Sequence, residues 1–117
     1  MKPEDVVRAE LRAWSSLDMD QIMAHFAEDA TLLPGFGHPT YSGLEEIRHV
    51  IEGFLKVMTQ CDIEIVNLAV TGNVVLTERV DRLIYNGKPL DAPGMGAFEV
   101  AGDQITAWRD YFDTGAS

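Results

Sequence analysis

The chain has one cysteine, Cys61, in 117 residues. That excludes an intrachain disulfide and any metal site built on paired cysteines. The lone thiol reads as a small residue at a strand start. Three histidines, His25, His38 and His49, are scattered without the spacing of a metal site. No apolar run approaches the roughly 20 residues of a membrane span. The opening MKPEDVVRAE puts acids where a secretory leader needs an apolar stretch. These absences predict a cytoplasmic protein with no membrane partner. Cations are scarce too: nine Lys and Arg stand against nineteen Asp and Glu, a net charge of −10. Nucleic acid is held by clustered cations, so it is not an expected partner. The same field repels anionic metabolites and tolerates neutral ones.

What remains is an ordinary globular composition, 46% apolar, with a length suited to one core. A single domain over residues 1–117 is expected. The punctuation puts helices first and strands later, which predicts α+β. Pro3 to Leu17 reads as a helix, with Val6, Val7, Leu11 and Trp14 at helical spacing. Asp18 is the expected N-cap of a second helix, Met19 to Phe26, with Gln21 where a capping box wants it. Ala30 to Leu33 is a short strand stopped by Pro34. Ser42 and Glu45 form an S-x-x-E capping box before a third helix, Leu44 to about Met58. The rest is a meander. Its strands are Asp62 to Val70, Val74 to Tyr85, Lys88 to Val100 and Gln104 to Asp113. Asn86-Gly87 is a type I′ turn signal, and Pro93-Gly94 predicts an irregularity.

The segment VVLTERVDRLIY, residues 74 to 85, carries the chemistry. Side chains alternate across a strand, so Val75, Thr77, Arg79, Asp81, Leu83 and Tyr85 form one row. Val74, Leu76, Val80 and Ile84 belong to the other. In the last strand Gln104, Thr106, Trp108, Asp110 and Phe112 are expected on one face. An aspartate between Trp108 and Phe112 needs a partner or a raised pKa. One arginine between two aspartates meets both needs, and lets the two carboxyls differ as acid and base. Spacing equally admits a structural Arg–Asp pair or a salt-bridged face at a dimer contact.

TERVD (77–81) and WRDYFD (108–113) together resemble the corresponding strands of the limonene-1,2-epoxide hydrolase family. GMGAFEVAGDQITAWRDYFD, FAEDATLLP and FLKVM are similar to it as well, so the resemblance covers roughly residues 26 to 113. It implies a cystatin/NTF2-like cone-shaped α+β barrel, three helices on a curved, mostly antiparallel sheet. It also implies a deep apolar pocket, a homodimer, no cofactor and one-step addition of water to an epoxide. The charge balance and the apolar residues flanking the acids make a neutral, lipophilic, terpenoid- or steroid-like epoxide the expected substrate. Carried over by position, Asp110 is the base, Asp81 the acid and Arg79 the bridge between them. Two other readings stay open. One is an isomerase or cyclase of the ketosteroid-isomerase or SnoaL type; the other is a non-catalytic ligand-binding module.

The loop PGFGHPTYSG lacks the Tyr-x-Asn with which the family holds its water. His38 or Tyr41 is the candidate replacement, while His25 and His49 read as structural. Phe54, Met58, Ile63, Leu83, Met95, Trp108 and Phe112 are the candidate walls. Ala92 and Gly94, where relatives carry larger residues, predict a wider pocket. So does a chain that stops at Ser117, where relatives continue.

Overall fold

The computed structural model describes residues 1–113. Helix α1, Pro3–Ala13, begins on a proline whose missing N–H falls among first-turn groups that have no helical partner. Glu4 and Asp5 lie at its positive end and Arg12 at its negative end. The chain then tightens into a 3₁₀ turn, Trp14–Ser16, and Leu17 at φ 54° ends it. In α2, Met19–Met23, the Asp18 carboxylate accepts the Asp20 and Gln21 N–H groups at 2.8 and 3.2 Å. This helix stops short of the expected Phe26. The His25 carbonyl accepts the Ile105 N–H at 2.7 Å, and Phe26 already opens strand β1, Phe26–Leu33.

Strand β2 is two residues, Tyr41–Ser42, paired with Leu32 and Thr31. Its pairing overrides the expected capping box. Gly43, at φ 86°, is the N-cap of α3, Leu44–Val57, and its N–H bonds the Ala30 carbonyl at 2.8 Å. Glu46, one residue past the expected Glu45, accepts the Ser42 N–H at 3.0 Å. Ile47 and Ile51 are fully buried on its inner face. Each such burial stabilises by roughly 1.5–3 kcal/mol.

Strands β3 (Met58–Thr71), β4 (Val74–Tyr85), β5 (Lys88–Ala101) and β6 (Gln104–Phe112) complete a sheet of order β2-β1-β6-β5-β4-β3. Only β1–β6 is parallel. Asn86 and Gly87 both have positive φ, 52° and 77°, as a type I′ turn requires. The pairing of β4 with β5 runs unbroken through Pro93 and Gly94, so the expected irregularity is not there. It lies between Glu99 and Val100, against β6. Further shifts fall between Ile65 and Asn67 and between Phe26 and Thr31. Bulges bend strands, and these give the sheet its curve. The helices pack into the concave face on a core that includes Val6, Val7, Ile22, Ile51, Phe98 and Ile105. The sheet curves as the α+β reading anticipates, but it does not close: β2 and β3 remain edges. Among the described residues, no helix is long and apolar enough to cross a membrane. The residues after 113, on which the expected open end of the pocket depends, lie outside the described part.

Candidate active site

Strand alternation puts Thr77, Arg79 and Asp81 on the concave face of β4. Trp108, Asp110 and Phe112 take the same face of β6. Strand β5 lies between, so the two rows stand about 9–10 Å apart. Bridging that gap needs a long side chain above and little below it. The inner row of β5 is Ala92, Gly94 and Gly96, and it supplies the space. Gly96 pairs with Thr77 on one side and Asp110 on the other. A Cβ built on Gly96 lies 2.6 Å from both Arg79 Nη1 and Asp110 Oδ1. The arginine therefore lies directly over this glycine.

Arg79 is 1% exposed and spends its fork on two carboxylates. Nε donates to Asp81 Oδ1 at 3.1 Å and Nη2 to Asp81 Oδ2 at 2.8 Å. Nη1 donates to Asp110 Oδ1 at 2.8 Å and Nη2 to Asp110 Oδ2 at 3.0 Å. Trp108 Nε1 donates to Asp110 Oδ1 at 2.6 Å. The guanidinium also stands 5.9 and 5.8 Å from the Trp108 and Phe112 ring centres. Burial alone would lower the Arg79 pKa. The charges and hydrogen bonds of Asp110 and Asp81 more than reverse this, and the group stays a cation. Burial raises the Asp110 pKa above its ordinary value, and Arg79 and Trp108 only partly counter it.

Both carboxylates line a cavity of about 300 Å³, with Arg79 behind them. Of the expected walls, Phe54, Met58, Ile63, Leu83, Trp108 and Phe112 line it, as does His38. Met95 does not: it is 54% exposed on the convex face. Inward positions of β5 are the even-numbered ones, and Met95 falls between Gly94 and Gly96. Tyr41 stands behind the lining, its hydroxyl 3.1 Å from His38 Nδ1. Gly94 does not widen the cavity either, because the Phe112 ring lies where its Cβ would be, at 2.5 Å. Gln104 and Thr106 leave the predicted face, since the shift at Glu99/Val100 turns Ile105 inward instead.

Sequence reasoning missed Trp14, Leu32, Pro34, Phe36, Tyr85 and Leu90 as lining residues. Tyr85 stands in the same row as Arg79, which was the available signal. Cys61 also lines the cavity, but burial, aided by the Asp81 charge, pushes its thiol up to about 12. It is neutral and a poor nucleophile. His49 is exposed on α3. Among the described residues no three His, Cys, Asp or Glu side chains gather as a metal site. A second, more open cleft under residues 35–37 shares Phe36, His38, Asp110 and Phe112 with the cavity.

A sequence profile described as limonene-1,2-epoxide hydrolase catalytic domain matches residues 1–116. The epoxide hydrolase EphG of Mycobacterium tuberculosis is 42% identical over 52 residues, 44% of this chain and 35% of that enzyme. The match thus spans about a third of that relative's length. A solved LEH-like epoxide hydrolase from M. tuberculosis is 29% identical with a TM-score of 0.81, over 93% of this chain and 80% of that one. A protein of ketosteroid isomerase-like fold from Catenulispora acidiphila DSM 44928 shares the fold, with a TM-score of 0.85 at 23% identity over 99% of this chain and 90% of that one. The strands that carry Arg79, Asp81 and Asp110 and the helices over them fall within the matched residues, and the chain belongs to the limonene-1,2-epoxide hydrolase family.

Proposed function

We propose that the protein hydrates a neutral, lipophilic epoxide to a vicinal diol in one step. The observation that carries this reading is one buried arginine held between two carboxylates that both face an apolar cavity. Asp110 takes a proton from water as the water oxygen attacks an epoxide carbon. The carbon–oxygen bond opens, and Asp81 gives a proton to the departing oxygen. The two acids have then exchanged ionisation, and one proton passing from Asp110 to Asp81 resets the site. Arg79 keeps the pair in register, and its planar fork suits two carboxylates as an ammonium does not. His38 holds the water. It lines both spaces that reach Asp110, and with Nδ1 turned to Tyr41 its Nε2 is left for a solvent molecule. No cofactor takes part in this reading.

The cavity volume lies at the small end of ligand pockets, which favours a terpenoid-sized substrate over a steroid. The test is a panel of terpenoid, aryl and steroid epoxides in ¹⁸O-water with enzyme in excess. Label in the diol on the first turnover is expected. An unlabelled first diol, its oxygen delivered from an aspartyl ester, overturns the one-step mechanism. Isomerisation of an unsaturated ketone without any epoxide turnover replaces the reading with the isomerase one. A bound apolar ligand with neither reaction leaves a binding module.

The reading includes a homodimer through the convex sheet face. Leu76, Met95 and Tyr111 are 40, 54 and 57% exposed there, with Val80 beside them. The flanking charges are already paired, Arg82 to Glu64 and Asp91, and Arg109 to Glu99. A second copy of this face would bury the apolar strip, and Glu78, opposite Met95 within it, is held by the Asn67 amide at 2.7 Å. Sedimentation at micromolar concentration is expected to give twice the chain mass, and Leu76→Glu to give the monomer. A monomeric wild type removes the claim.

A further inference from the structure

Among the described residues five polar or charged side chains are buried, and four of them, Thr77, Arg79, Asp81 and Asp110, belong to the triad rows. The fifth is Glu10, fully buried on the core face of α1 beside Val6, Val7 and Leu11. Burial pushes its pKa up to about 7 against the hydrogen bonds it accepts. Removing a carboxyl from water is unfavourable, and an apolar residue of similar volume fills such a place at least as well. Its two oxygens show what the carboxyl does. Oε2 accepts Trp14 Nε1 at 3.2 Å, and Oε1 meets His25 Nδ1 at 3.1 Å. His25 is half-buried in the turn before β1, and its carbonyl is tied to the Ile105 N–H of β6. Trp14 is a cavity wall: its indole lines the space and stands edge-on to the Trp108 ring, 6.3 Å between centres at 89°.

We propose that Glu10, anchored by His25, is a positioning residue that holds the Trp14 indole as the wall on which an apolar ligand packs. An indole held at its N–H presents one fixed surface. An unheld one turns within the 3₁₀ segment, and binding then includes the entropy of fixing it. The proposal takes the cavity to be the substrate site, as the hydrolase reading does, but it concerns binding and not chemistry.

The experiment uses menthol, a neutral terpenoid alcohol, as the binding probe. Binding is followed by the emission of the two tryptophans, both of which line the cavity. Glu10→Leu is expected to raise the menthol Kd and the epoxide KM about five- to tenfold, the worth of one hydrogen bond, with kcat within about threefold. The near-ultraviolet circular dichroism of the Trp14–Trp108 contact should weaken with it. Glu10→Gln keeps an acceptor for the indole and should restore both. Trp14→Phe, which lacks the N–H, should lose binding to the same degree, and the double variant should lose no more. A cooperatively melting Glu10→Leu with unchanged Kd and dichroism overturns the proposal. So does a Trp14→Phe that binds menthol like the wild type, which decides the matter even if Glu10→Leu does not fold. Failure of every epoxide with these binding effects intact refutes the hydrolase reading alone.

Discussion

Asp110→Asn is expected to lower kcat/KM for the preferred epoxide by roughly two to four orders of magnitude and to leave the protein folded. The amide keeps the size of the carboxylate and still accepts Trp108 Nε1 and Arg79 Nη1 at the Oδ1 position. It cannot take a proton from water. Its NH₂ faces Arg79 Nη2, so one charge-assisted hydrogen bond is lost, about 1.5–3 kcal/mol. Against that stands the sign of the Asp110 shift. A carboxyl whose folded pKa is raised binds its proton more tightly in the native state. Its contribution to stability is complete below the unfolded pKa and is lost as pH rises through the folded one. Above the folded pKa the ionised Asp110 is therefore less favourable to the fold than the protonated acid, which works against the loss of that bond. In melting curves the wild type should gain on the variant as the pH is lowered. The acid limb of wild-type kcat/KM should sit above the ordinary aspartate value of 3.8. A variant that keeps more than a tenth of the activity, or that is unfolded, contradicts the assignment.

Gly96→Ala should be comparably damaging by a purely geometric route. The new methyl would lie 2.6 Å from Arg79 Nη1 and Asp110 Oδ1 and 3.1 Å from Thr77 Oγ1. Arg79 is pinned on its other side by Asp81, so it cannot retreat without breaking a buried ion pair. Overpacking of this kind costs about 1–3 kcal/mol, and parting a buried pair about 3–5. Activity should fall by at least about a hundredfold, and the melting midpoint should drop. Gly53→Ala is the matched control. It lies within α3 with nothing within 4 Å of its Cβ, and alanine there should stabilise by roughly 0.5–1 kcal/mol. Equal behaviour of the two variants would show that the space over Gly96 is not needed.

The triad was legible because β4 is an unbroken strand. Nothing shifts its pairing with β5, so counting by twos from Val75 to Tyr85 groups the right residues on one face, though it does not say which face is inside. The same count fails in β6 at Gln104 and Thr106, because the shift against Val100 is a property of two strands and leaves no mark in either alone. Met95 was misplaced for a related reason. The inner face of β5 carries glycine at 94 and 96, so the bulky residue between them looks like the wall. Those glycines signal the close approach of Arg79 and Phe112, not an empty pocket. The helix α3 cap was missed because Ser42 is claimed by a two-residue strand that no periodicity reveals. Glu10 did leave a trace. It lies four residues before Trp14 and three after Val7, an acid on an otherwise apolar helix face.

The sheet order has a consequence for how the protein is made. Strand β6 leaves the ribosome after every other strand of this sheet, yet it sits third of six, between β1 and β5. Until it is inserted, β1 has only the two residues of β2 beside it, and β5 has an open edge. The joining contacts, Phe26 to Ile105 and Leu32 to Trp108, span about two thirds of the chain, and contacts so distant in sequence form slowly. A nascent chain thus exposes two sticky strand edges until β6 emerges. Trp108, Asp110 and Phe112 all ride on that segment. Synthesis that halts before it yields a chain with neither a finished core nor the Asp110 carboxylate that meets Arg79.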